Sequence, residues 1–178
     1  MTATALPLPT ASRARPFALS PVLRAAVGLV GVGFTAACVL GVVRYAAGLA
    51  PAHSNTQNIA VMIHVASVLP ALPLGAWLML ARKGTPRHKQ LGKVWVGLMV
   101  LTALTALFIR QINGGEFSLI HLFVPLTLHG AWKTIVTVRR GDIAAHKKTL
   151  VGLYLGALTI PGLFAFMPGR LMGTWLFG

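Results

Sequence analysis

Acidic side chains are nearly absent from this chain: Glu116 and Asp142 are the only carboxylates in 178 residues. A paired-carboxylate site is thereby excluded, and with it most general acid–base hydrolysis. Neither acid falls within an apolar run, which also argues against a carboxylate-driven proton pump. Each stands at a helix start, where a carboxylate caps backbone donors and meets the positive end of the helix dipole. Asp142 also precedes His146 by four residues, close enough to orient that imidazole. There is a single cysteine, Cys38. It rules out an intramolecular disulfide and a Cys-based metal site, and reads as a small buried hydrophobe. No CxxCH occurs, so covalent haem is excluded. No nucleophile elbow and no glycine loop able to cradle phosphate is present, which sets aside acyl and phosphoryl transfer. Charged residues of all kinds make up 10% of the chain, against about 25% in soluble domains.

What is present is apolar. Hydrophobic residues are 56% of the chain, and they gather into five runs, about 26–43, 59–80, 91–109, 119–138 and 150–167. A helix needs about 20 such residues to cross a hydrocarbon core of about 30 Å. The expected fold is therefore all-α: an integral membrane five-helix protein forming one domain over 23–178. Residues 1–22 carry Pro, Ser and Arg without an apolar core, so they are no cleaved signal peptide and predict a disordered cytoplasmic tail.

The net charge of +14 is distributed by side. Arg13, Arg15 and Arg24 precede the first run. Arg82, Lys83, Arg87, Lys89 and Lys93 fill the second connection, and Arg139, Arg140, Lys147 and Lys148 the fourth. The first connection has no Lys or Arg, and the third sets Arg110 against Glu116. The positive-inside rule then predicts a cytoplasmic N-terminus and an outer, periplasmic C-terminus. Charge placed this way serves topology and attracts anionic lipid; it does not predict nucleic-acid binding.

Two stretches 57 residues apart resemble each other. Ile63-His64 recurs as Ile120-His121, Arg82-Lys83-Gly84 as Arg139-Arg140-Gly141, and, one residue later, His88-Lys89 as His146-Lys147. This predicts an internal two-fold repeat, with units about 59–115 and 116–172, forming a four-helix core. His64 and His121 each precede the basic turn by eighteen residues, about 27 Å along a helix. An outer pair, His64 and His121, and an inner pair, His88 and His146, follow.

Facing imidazoles in a helical bundle suit axial ligation of haem iron. The expectation is a b-type haem held by His64 and His121, a second held by His88 and His146, and electrons passing between them. Arg87 and Lys147 would meet propionates. Gly92, one turn beyond His88, would let a planar ligand approach the backbone, and Tyr154 lies near the face of His146. The strip His121, Pro125, His129 and Lys133 should face the bundle or an aqueous vestibule, because such groups are costly in lipid. His129 then serves as an alternative ligand, a proton relay or an interhelical hydrogen bond. The remaining histidine, His53, has no predicted role. The competing reading is a non-catalytic accessory or scaffold subunit, held in a larger complex or homo-oligomer by its Gly-rich spans; a small-molecule carrier is a third. A quinol or another redox partner would accompany only the first. Trp175 and Phe177, in a tail too short to cross, are expected at the outer interface.

His88-Lys-Gln-Leu-Gly-Lys-Val-Trp95 resembles an HRxxGRxY stretch, and Arg140-Gly-Asp-Ile-Ala-Ala-His146-Lys-Lys, with Tyr154, resembles RGDxxxHRRxMxRxY. Both are motifs of a family of predicted bacterial multi-pass membrane proteins with an unassigned domain. The resemblance implies a multi-pass fold in the bacterial inner membrane, with His88, Gly92, Lys93, His146 and Tyr154 at the marked positions. Trp95, Leu150 and Gly152 depart from the family's Tyr, Met and Arg. The layout of the histidines is also distantly similar to two-haem transmembrane cytochromes b that carry electrons from ascorbate.

Overall fold

A computed structural model describes residues 19–178. Every long helix but α4 opens on a residue suited to capping. Ser20 Oγ accepts from the Leu23 amide at 3.3 Å and Pro21 stands in the first turn of α1 (Pro21–Ala46). Asn58 Oδ1 accepts from Ala60 at 2.9 Å to open α2 (Ile59–Leu80). Thr85 Oγ1 accepts from His88 at 3.1 Å, again with Pro in the first turn, to open α3 (Pro86–Ala106). A 3-10 turn, Leu119–Leu122, leads into α4 (Phe123–Arg139). Asp142 Oδ1 accepts from Ala145 at 2.9 Å to open α5 (Ile143–Ala165). A short α6 (Leu171–Phe177) follows. Side-chain acceptors here satisfy amides that have no partner within the helix. The first helix begins inside the segment expected to be a disordered tail; the remainder of that segment, 1–18, lies outside the described residues.

Four of these helices are long and apolar enough to cross a membrane: α1, α2, α4 with its leading turn, and α5. The expected third span starts earlier than its apolar run, at Pro86, and its first turns carry Arg87, His88, Lys89 and Lys93. That polar opening keeps α3 out of the set. Its direction is nevertheless fixed. His64, near the start of α2, hydrogen-bonds Thr102 near the end of α3, so the two helices run antiparallel along their lengths. Alternation of this kind gives the bundle a basic end, where the 81–85 and 139–142 connections lie, and an opposite end where α2 and α4 begin.

The interior is built where α2 narrows. Trp95 of α3 and Tyr154 of α5 are fully buried. Trp95 Nε1 donates to the Ala71 carbonyl at 2.9 Å, and Tyr154 Oη donates to the next one, Leu72, at 3.1 Å. Helix carbonyls have a second lone pair, so both bonds are made without breaking α2. The two rings can come this close because residue 75 is glycine: a Cβ there would lie 2.6 Å from Trp95 Nε1 and 2.7 Å from the Tyr154 ring. α5 widens into a π stretch over Gly152–Thr159. Pro161 cannot donate to the Ala157 carbonyl, and Thr159 Oγ1 bonds the Tyr154 carbonyl at 2.8 Å, five residues back.

Two expectations change. The outward interface placed at Trp175 is instead core: its ring is buried and stacks on Tyr45 at 4.4 Å, while Phe177 is exposed. Arg44, at the end of α1, holds this helix by donating to the carbonyls of Trp175 (3.2 Å) and Gly178 (2.7 Å), and it also bonds the nearby Leu49 carbonyl (3.2 Å). A charged fork supplies several donors to carbonyls that α6 leaves unpaired. The polar strip of α4 is also turned the other way. His121 is buried, but Pro125, His129 and Lys133 are exposed, and Val124, Thr127, Ala131, Thr134 and Thr137 face inward. Residues with small or β-branched side chains hold the inward face because α5 approaches closely there: a Cβ on Gly130 would meet the Leu153 side chain at 2.6 Å.

Candidate functional site

A cavity of about 640 Å³ opens at the end opposite the basic one. Its depth is apolar, with Leu72, Met99 and Leu158 on the walls, and its mouth is polar, with His53, Asn55, Gln111 and Arg170. Such a gradient suits a flat or elongated molecule with one polar edge. His64 is the histidine on the transmembrane wall. Its Nδ1 lies 3.0 Å from the Thr102 carbonyl and 3.2 Å from Thr105 Oγ1. A carbonyl can only accept, so Nδ1 carries the proton and Nε2 keeps a free lone pair. Nε2 has no hydrogen-bond partner among the described residues. The ring is braced by its neighbours: Ser67 Oγ donates to the His64 carbonyl at 2.8 Å and meets Thr102 Oγ1 at 2.7 Å. Thr105 in turn donates to Leu101 at 2.8 Å, which leaves its lone pair toward the imidazole.

His121, the expected partner of His64, is set differently. It lies in the 3-10 turn, and its Nδ1 accepts from the Ser118 amide at 3.0 Å. The Ser118 carbonyl lies further from the same atom, at 3.2 Å, and the amide can only donate; the shorter capping bond therefore places the proton on Nε2, buried and without a partner. His121 does not line the cavity, although its neighbour Ile120 does. His64 and His121 therefore do not face each other across it.

At the basic end, His146 is fixed as His64 is: Nδ1 lies 3.0 Å from the Thr134 carbonyl. His88 Nδ1 is buried without a partner. Lys83, in the connection between α2 and α3, donates to the carbonyls of Met79 and Ala81 at the end of α2. Burial pushes its ammonium below the usual lysine range, and the nearby Arg24 and Lys147 charges push it further the same way. Arg87 is exposed and Lys147 half-buried. The cavity reaches none of these groups. Gly92 has open space where a side chain would be, and the close approach of side chains to backbone is made at Gly75. Tyr154 and Trp95 are committed to the α2 carbonyls and also lie off the cavity. His129 is exposed and sits 5.6 Å from the Trp132 ring, centroid to centroid.

Residues 61–174 match the family described as Predicted membrane protein (DUF2306). The chain belongs to that family. The matched stretch includes His64, His88, His121, His146 and the Trp95–Tyr154 clamp, while Phe34, Cys38 and His53 on the cavity wall precede it. No curated protein and no solved structure matches the chain. Membership in DUF2306 carries a membrane fold and no activity, so chemistry must be read from the cavity itself.

Two mouth residues had no sequence signal. His53 caps the turn Ser54–Gln57 by accepting from Asn55 at 3.1 Å, so its Nε2 carries the proton and bonds the Gly169 carbonyl at 3.3 Å. That bond ties the first connection to the loop bearing Arg170, across 116 residues. No local pattern announces such a contact.

Proposed function

We propose that this chain is a b-type haem-binding protein of the bacterial inner membrane that carries electrons within or across the bilayer, with His64 as the residue that would hold the iron. The observation that carries the reading is the commitment of His64 Nδ1 to the Thr102 carbonyl, which leaves Nε2 unprotonated on the wall of an apolar cavity. Histidine ligands are usually oriented in this way, and the bond raises the basicity of the ligating nitrogen. A volume of about 640 Å³ accommodates a planar macrocycle, and ligand sites generally span about 300–1,000 Å³. Leu72, Met99 and Leu158 exclude water from the site, and Arg170 at the mouth matches carboxylates. Haem held there supplies one-electron chemistry. The tautomer of His121 speaks for a single haem at this cavity rather than a pair of ligands shared with His64. In this reading α3 crosses with the other four long helices, the basic end faces the cytoplasm and the cavity opens outward. A quinol or a soluble carrier would be the reductant.

The accessory-subunit reading is favoured by a separate observation, the outward turn of His129 and Lys133 on α4.

The test is a reduced-minus-oxidised visible spectrum of the detergent-purified protein, with haem quantified against protein. About one haem per chain is expected, with the stoichiometry of a single b-type site. A colourless, folded preparation obtained with haem supplied during expression overturns the proposal.

A further inference from the structure

α4 carries two polar side chains out of the bundle at depths where lipid has nothing to offer them. His129 stands ten residues from Leu119 and ten from Arg139, about 15 Å from either end of the span. Lys133 lies one turn further on, still about 9 Å short of Arg139. Both are exposed, and Trp132 between them is 60% exposed. The Lys133 side chain leaves the helix toward its N-terminus, back toward the depth of His129 and away from the basic end. Its ammonium has no partner among the described residues. Exposed Leu122, Pro125 and Leu126 continue the same face toward the start of the helix.

The chain cannot meet this charge itself. Glu116 precedes the span and Asp142 follows it, with Oδ1 of the latter capping α5. A second copy brings the same two acids at the same two ends, in either orientation, and so offers no carboxylate at mid-depth. Charged groups inside a membrane are found paired. We infer that the outward face of α4 docks a transmembrane helix of a different protein, one carrying an Asp or Glu side chain at mid-bilayer depth. Trp132 and Leu126 supply the apolar contacts that flank the pair. The inference stands apart from the haem reading, since none of these residues lines the cavity.

The full chain, with or without haem, is reconstituted in liposomes with a dye-labelled poly-leucine transmembrane peptide. The peptide carries one central Glu, or Gln or Leu in its place, and energy transfer to a label on the protein reports association. The Glu peptide is expected to bind about tenfold more tightly than the Leu peptide, the order of preference that interhelical polar contacts give model helices. Lys133→Met should remove the preference, His129→Leu should reduce it, and Lys133→Arg should retain it. Thermal unfolding verifies that each variant is folded. Equal binding of the Glu and Leu peptides overturns the inference, as does a preference that survives Lys133→Met. Association between differently labelled copies of the chain, lost with Lys133→Met and blocking the peptide, also overturns it.

Discussion

The α2–α3 pair and the α4–α5 pair each begin with an Ile-His step at the same end of the bundle, yet the two imidazoles hold their protons on opposite nitrogens. In the first pair the histidine sits in the second turn of a regular helix, and the neighbouring helix presents a carbonyl to Nδ1. In the second the histidine sits in a 3-10 turn, and its own Ser118 amide reaches Nδ1 first. The difference between acceptor and donor at one atom decides which ring can ligate through Nε2. Resemblance in sequence thus does not carry over to resemblance in chemistry, because the partner that sets a tautomer comes from elsewhere in the fold.

The sharpest break of this comparison is a pair of substitutions. His64→Ala should take bound haem from about one per chain to none, and His121→Ala should leave it in place, both read from the visible spectrum against protein. Equal loss in both would restore His121 as a ligand and sink the asymmetry. Next in size is packing at the α2 notch. Gly75→Ala should cost about 1–3 kcal/mol, as overpacked cores do, and lower the thermal midpoint in detergent. Gly92→Ala, which meets open space, should leave that midpoint unchanged. A Gly92→Ala variant destabilised as much as Gly75→Ala would mean that the tight packing is not particular to the α2 notch. Ser118→Ala removes the hydroxyl that supports His121 and should cost about 1 kcal/mol of cap stability without altering the spectrum.

The smallest effect concerns the basic end. The folded state disfavours the charged form of Lys83, so the unfolded chain binds more protons as pH approaches the ordinary lysine value of 10.5. Stability should therefore rise with pH in the window just below 10.5, after being held down at neutral pH. Denaturation followed between neutral pH and that window should show a shallower rise for Lys83→Met. An unchanged slope in that variant would assign the pH dependence to other groups.

Much of the scaffold was legible from residues alone. The apolar runs located the helices and the basic connections defined one end, while α1 and α3 open earlier than their runs, at the capped prolines Pro21 and Pro86. His64 was legible as a candidate because an imidazole in an apolar run is conspicuous, and the structure puts it on the cavity wall. Its distinction from His121 was not, since Thr102 and Ser118 have no visible claim on either ring before folding. The α4 strip splits: His121 is buried in the 3-10 turn while Pro125, His129 and Lys133 face outward, because α5 demands small residues such as Gly130 and Ala131 on the inward side. Tyr154 and Trp95 carried a family motif, and their use as a clamp on α2 depended on Gly75, which belongs to neither motif. The apolar runs supplied the helix order, but neither they nor the recurring motifs anticipated the π stretch in α5 or the 3-10 entry to α4.

Arg44 gives the bundle a timetable. The carbonyl it holds at Trp175 lies 131 residues downstream, which is about 7 to 26 s of synthesis at the usual rate of chain growth. Through that interval the first helix is in place with its guanidinium waiting and Tyr45 unstacked. The rim opposite the basic end is therefore sealed by a late segment too short to cross, and a chain halted before Leu171 would leave the bundle with an open seam there.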